Sequence, residues 1–185
     1  MRSRTPARPG LRAVAACIMA AAVTSALAWP AWDGLEVRPQ EGPGCRLPLA
    51  GGETFVLAFT HSVDRLPVED HYRVEDGRIV QEATRLRQFG AGMGHIHGVG
   101  EGRADGDWWE VTGMGREVGD LVVRAGGPQV GHLLHHPGGT VALSGRWAGQ
   151  RVTIRPERQS TIQRALSSLG GPCGADSQTV PEEAP

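Results

Sequence analysis

From residue 53 onward, apolar and polar positions alternate in short runs. In 53–60 (ETFVLAFT), Phe55, Leu57 and Phe59 fall on one face and Thr54 and Thr60 on the other, the period of two that marks a half-buried strand. In 68–75 (VEDHYRVE), Val68, Asp70, Tyr72 and Val74 alternate with Glu69, His71, Arg73 and Glu75, so one face is expected in the core and the other in solvent. Asp76-Gly77 is a two-residue hairpin signal leading into a third strand over 78–86. Further strands are expected over 107–112, 118–124, 129–136, 139–144 and 150–155, with Pro137-Gly138-Gly139 as a turn between two of them. Strands this short, with turns every few residues, predict an all-β fold, a small antiparallel sandwich or barrel.

The pattern changes at both ends. Residues 160–169 (STIQRALSSL) read as a short C-terminal helix. Ser160 and Gln163 have the spacing of a capping box, and Ile162, Leu166 and Leu169 share one helical face. At the N-terminus, four arginines and no acid precede the apolar run 13–27, and Ala26-Leu27-Ala28 has the A-x-A form of a cleavage site. This gives a signal peptide over 1–28, a single β-rich domain over 29–170 and a disordered tail over 171–185. An uncleaved anchor is the alternative fate of the leader, although the run is short for a span of about 20 residues. The expected location is periplasmic or otherwise extracytoplasmic.

Composition narrows the chemistry. The 185-residue chain has 27 glycines and 13 prolines, in keeping with many turns. It has neither Lys nor Asn, which removes Schiff-base chemistry, a Walker-type phosphate loop and an N-glycosylation sequon. The formal net charge is −1, and without the four leader arginines 15 basic residues face 20 acidic ones, or −5. A mildly acidic domain is a poor partner for nucleic acid or anionic lipid. Removing the leader also leaves two cysteines, Cys45 and Cys173. In an oxidising compartment they form a disulfide or remain two separate thiols.

Three constellations carry candidate chemistry. If the loop between the first two strands is Asp64-Arg65-Leu66-Pro67, His61 faces Asp70, Phe59 faces Tyr72 and Leu57 faces Val74. His61 and Asp70 then form one polar pair on an apolar face, within cross-strand reach. The pair reads as a structural clasp, or as an acid-oriented base of a hydrolase; no nucleophile accompanies it, so no catalytic residue is assigned. The run Gly90–Gly100 contains G-x-G but is followed by no helix, which excludes a dinucleotide site. It also carries His95 and His97. With His132, His135 and His136 these are candidate ligands for copper or zinc if three of them converge. Trp108 and Trp109 are adjacent and so face opposite ways on a strand, one toward the core.

The ordered set His61-Ser62-Val63, Pro67-Val68-Glu69-Asp70, Tyr72 and Phe89-Gly90-Ala91-Gly92 resembles the bacterial domain-of-unknown-function family 1850. That resemblance implies a small exported protein associated with TRAP-type solute transporters of the TAXI subclass. It implies an accessory role without an assigned catalytic activity, and as partners the TRAP membrane subunits or a solute-binding protein. His61, Ser62, Pro67, Glu69, Asp70, Phe89, Gly90 and Gly92 would then form a family-specific surface or its structural support. A periplasmic copper- or zinc-binding protein is the alternative.

Overall fold

A computed structural model describes residues 10–49, 52–87, 100–168 and 173. Its organising unit is the hairpin of β4 (Pro67–Glu75) and β5 (Arg78–Leu86). Asp76 and Gly77 both take positive φ, 50° and 73°, the geometry of the tight turn whose twist matches that of the strands it joins. On the far side of β4 lies β3 (Thr54–Thr60), followed by β10 (Leu133–His136) and β11 (Gly139–Ala142). On the far side of β5 lie β7 (Trp108–Thr112) and the edge strand β6 (Glu101–Asp105), while the two-residue β8 (Arg116–Glu117) also pairs with β5. Together these make one eight-stranded antiparallel sheet.

A second sheet of four strands has the order β2 (Cys45–Pro48), β1 (Pro30–Pro39), β12 (Arg151–Ser160), β9 (Leu121–Arg124). The two sheets share one core. Leu35, Val37, Leu47, Val123, Val152 and Ile154 of the smaller sheet pack with Phe55, Leu57, Tyr72, Val74, Ile79, Leu134 and Val141 of the larger. Phe55 and Tyr72 stack directly across the β3–β4 pair, with ring centroids 5.3 Å apart. The result is the all-β sandwich expected from the alternation. A short helix α2 (Leu143–Trp147) takes the place of the end of the strand expected over 139–144, and buries Leu143 and Trp147.

The C-terminal helix α3 (Thr161–Ser168) begins with the capping box. The Ser160 N–H donates to Gln163 Oε1 at 2.7 Å, and the Gln163 N–H donates to Ser160 Oγ at 3.2 Å. Its apolar face, with Ile162 and Leu166 together as expected, is turned outward. Ile162 and Leu166 are 43% and 63% exposed, while Gln163, Arg164 and Ser167 turn toward the sandwich. Arg164 decides the orientation: its guanidinium lies 5.2 Å from the Trp32 ring centre and donates to the Asp33 carbonyl. Leu169 lies outside the described residues.

Helix α1 (Leu11–Ala28) is apolar, and none of its residues is buried. It ends at Ala28, the expected cleavage position, and β1 begins at Pro30. Cys45 at the start of β2 is joined to Cys173 in a disulfide, with Cα atoms 5.7 Å apart. The segment assigned as a disordered tail therefore contains a buried residue covalently tied to the edge of the smaller sheet.

Candidate functional site

The expected His61–Asp70 pair does not form. Strand β3 stops at Thr60, and the connection to β4 is the six-residue loop 61–66. The His61 N–H donates to the Leu66 carbonyl (2.9 Å) and the Arg65 N–H to the His61 carbonyl (3.0 Å), with Arg65 at φ 57°. The longer loop shifts the register by four residues, so that Leu57 faces Asp70, Phe55 faces Tyr72 and Phe59 faces Val68. An even shift keeps every side chain on its expected face. The same residues therefore face the core in both registers, although Leu57 now meets Asp70 in place of Val74, and the loop geometry selects between them.

His61 finds a different acid. Its Nδ1 lies 3.2 Å from Asp64 Oδ2, within its own loop. Ser62, Val63, Asp64 and Arg65 are exposed around it, with Val63 71% exposed. The histidine thus braces a projecting loop tip from below. Pro67, also exposed, is where β4 leaves the loop.

Asp70 instead anchors a polar cluster on the inner face of the larger sheet. The Thr84 hydroxyl donates to Asp70 Oδ1 at 2.7 Å, and Gln81 Nε2 donates to the same oxygen at 3.1 Å and to Thr84 Oγ1 at 3.0 Å. A β-bulge makes this possible. The β4–β5 register runs Asp70↔Thr84 and His71↔Ala83, then Tyr72↔Gln81, so Glu82 is the extra residue. Across it, Gln81 and Thr84 reach the same face although three positions separate them. The Glu82 carbonyl accepts the Met114 N–H at 3.0 Å, and the Met114 sulfur lies 3.8 Å from Thr84 Oγ1. Burial holds the Asp70 carboxyl above its ordinary range against the Thr84 and Gln81 hydrogen bonds. Burial and the neighbouring Asp70 charge push the Tyr72 hydroxyl up as well.

The alternation does not point to Gln81, Thr84 and Met114. The bulge that gathers them shows only in the fold, at Ile79 and Leu86, because the apolar Val80 lets 78–86 read as an unbroken strand. Ile79 and Leu86 are both fully buried on the inner face, yet seven residues apart they point opposite ways on an unbroken strand. One inserted residue is required between them.

The outer face of the same strands is ionic, as the alternation predicted. Glu69 Oε2 lies 3.6 Å from His71 Nε2, at ion-pair rather than hydrogen-bond distance, and 3.3 Å from Arg85 Nη1. The His71 ring and the Arg85 guanidinium outweigh partial burial and hold the Glu69 carboxyl below its usual range. Arg85 and Arg87 both lie over the Trp108 ring, at 5.0 and 4.9 Å. Trp109 covers Gly102 of the edge strand, where a Cβ would meet its ring at 2.8 Å. Both tryptophans are half-buried, so the expectation that one fills the core is corrected. Edge strand β6 carries only exposed residues and leaves that ring part of its cover to provide.

The second-half histidines take separate local roles. His132 stacks on Phe59 (5.3 Å between centroids), and its Nδ1 accepts the Gly126 N–H at 3.1 Å. His135 Nδ1 pairs with Thr140 Oγ1 at 2.8 Å, and His136 Nδ1 accepts the Gly138 N–H at 3.1 Å. Burial pushes the His132 and His136 rings down from the ordinary histidine value, His136 further so because His135 is beside it. Among the described residues, no three His, Cys, Asp or Glu side chains gather as a metal site. Phe89, Gly90, Gly92, His95 and His97 lie outside the described residues.

Fold and cluster together define the class: a disulfide-linked antiparallel β-sandwich, with an Asp-centred polar cluster inside its larger sheet and a histidine-braced loop at its rim. Residues 55–143 match the model of a family described as a domain of unknown function (DUF1850). Neither a curated protein nor a solved structure matches the chain. The matched stretch is a little under half of the chain. It runs from β3 to the first residue of α2, so it holds every strand of the larger sheet but omits β1, β2 and β12 of the smaller one.

Proposed function

We propose that the protein is a non-enzymatic extracytoplasmic accessory domain that works beside a TRAP-type solute transporter of the TAXI subclass. Its contact would be with the transporter's membrane subunits or with a solute-binding protein. The observation that carries this reading is the placement of His61-Ser62-Val63. This family-like motif occupies an exposed loop tip, with an apolar Val63 turned to solvent and a histidine fastened beneath it. A short exposed loop held in shape by its own histidine suits contact with another protein. The Cys45–Cys173 disulfide and the apolar helix α1 support the compartment.

The test is crosslinking and affinity capture of the C-terminally tagged protein from its own bacterium, beside the variant Val63→Asp. The expected outcome is recovery of TRAP subunits or a solute-binding protein by the natural sequence and several-fold less by Val63→Asp, with unchanged thermal stability. Capture of neither kind of partner by the natural sequence overturns the transporter association. Equal capture by both forms overturns the role of the loop.

A further inference from the structure

We propose that the end of the sandwich formed by α3 and the start of β1 seats on the interfacial layer of a lipid bilayer, with anionic headgroups as its polar partners. This rests on the extracytoplasmic placement proposed above, with α1 retained as an anchor, and not on the transporter association.

The distribution of exposed apolar side chains carries the argument. Among the described residues, the exposed large hydrophobics of α1 are Leu11, Val14, Ile18, Met19, Val23 and Leu27. Beyond α1 they are Trp29, Trp32, Ile162 and Leu166, with only Val63 and Val122 elsewhere. The sandwich therefore concentrates its exposed apolar surface where the apolar helix joins it. That joint is compact in the fold: Pro30 pairs with Ser160, the residue before α3, and α1 itself approaches α3.

Each part suits the boundary between hydrocarbon and water. At 1.5 Å per residue, the 18 residues of α1 reach about 27 Å, close to the thickness of a bilayer core. Trp29 follows α1 directly, and Trp32 lies three residues on, where the aromatic belt of a membrane protein is found. Ile162 and Leu166, one helical turn apart, form an outward apolar stripe on α3. Trp32 is held ready: its Nε1 donates to Thr161 Oγ1 at 3.0 Å and its ring lies under Arg164. Arg164 lies beside the stripe, as does the exposed Arg158, which is paired with Asp33 at 3.7 Å and can exchange that carboxylate for an anionic headgroup. A domain that is acidic apart from its leader thus presents arginines where α1 leaves it.

The test uses the full chain carrying Cys17→Ser and Leu166→Cys, with a nitroxide label on the new thiol. The protein is reconstituted in vesicles of phosphatidylethanolamine and phosphatidylglycerol that hold no transporter. A second preparation carries the label at Val122→Cys, which is also exposed but lies on β9 of the smaller sheet. The expected result is a several-fold higher ratio of oxygen to water-soluble nickel accessibility at position 166 than at 122, reduced in vesicles of phosphatidylcholine alone. Equal ratios at the two positions overturn the proposal. Spin–spin broadening at 166 that grows with protein density, without the oxygen preference, identifies a second copy of the chain as the occupant and also overturns it. Because no transporter is present, failure of the transporter association leaves this result unaffected.

Discussion

Replacing Asp70 separates what its hydrogen bonds contribute from what its charge costs. In Asp70→Ala, Thr84 and Gln81 lose the oxygen on which both converge, and Gln81 Nε2 keeps only Thr84 Oγ1. A hydrogen bond to a charged group contributes about 1.5–3 kcal/mol. Two sharing one acceptor fall short of additivity, which gives an expected loss of about 3 kcal/mol at neutral pH. In Asp70→Asn a carbonyl oxygen of the same reach accepts both bonds and the buried charge is gone, so the expected change is within about 1 kcal/mol in either direction. The assay is urea unfolding followed by tryptophan fluorescence, repeated across pH. Burial raises the Asp70 pKa in the folded chain, so the folded state holds the proton more tightly than the unfolded one. Stability of the natural protein relative to Asp70→Asn is then greatest at acid pH. It falls as pH rises above the unfolded carboxyl's ordinary 3.8 and levels once the folded carboxyl is ionised. If Asp70→Asn costs as much as Asp70→Ala, or the difference grows in favour of Asp70 with rising pH, the charge is being stabilised by a cation and the reasoning fails.

Two further outcomes follow from the same structure. Cys45 and Cys173 are 128 residues apart, and on the chain-entropy model closing such a loop contributes about 5 kcal/mol; the double replacement Cys45→Ser with Cys173→Ser should approach that loss in urea unfolding under oxidising conditions, and a loss below about 1 kcal/mol would show that the cross-link does little to restrict the unfolded chain. His132 is held below its ordinary 6.5 by burial, and its Nδ1 is occupied as an acceptor, so the unfolded state takes up the proton first; the natural protein should lose stability relative to His132→Asn as pH falls through about 6.5, and parallel pH profiles would refute this.

The sequence made much of the architecture legible because alternation is a local signal. The β4–β5 hairpin follows from Asp76-Gly77, and the α3 start follows from Ser160 and Gln163. What escaped depends on contacts between distant segments. The β3–β4 register was missed because Leu57 is apolar opposite either Asp70 or Val74 on the same face, and the pairing turns on how the backbone at His61, Arg65 and Leu66 closes the loop. The Asp70 cluster is half visible: an acid on an apolar face needs a partner, but its partners lie across a bulge that the run Ile79, Val80 and Leu86 does not announce. Strand β1, whose Leu35 and Val37 are fully buried, was overlooked because prolines at both of its ends and Gly34 within it resemble loop composition. Gly34 is there for close packing, since a Cβ would meet the Gln159 amide at 2.3 Å.

The order in which the smaller sheet is assembled has a consequence for folding. Its central strands, β1 and β12, come from opposite ends of the domain, with Glu36 beside Arg155, and the cross-link joins residues equally far apart. A chain that folds from its N-terminus can pair β1 with β2 at once, but the other edge of β1 has no partner until β12 follows. The smaller sheet is therefore complete only with the last strand, and such long-range pairing is slow to form. The core that this sheet covers closes only when nearly all of the domain is available.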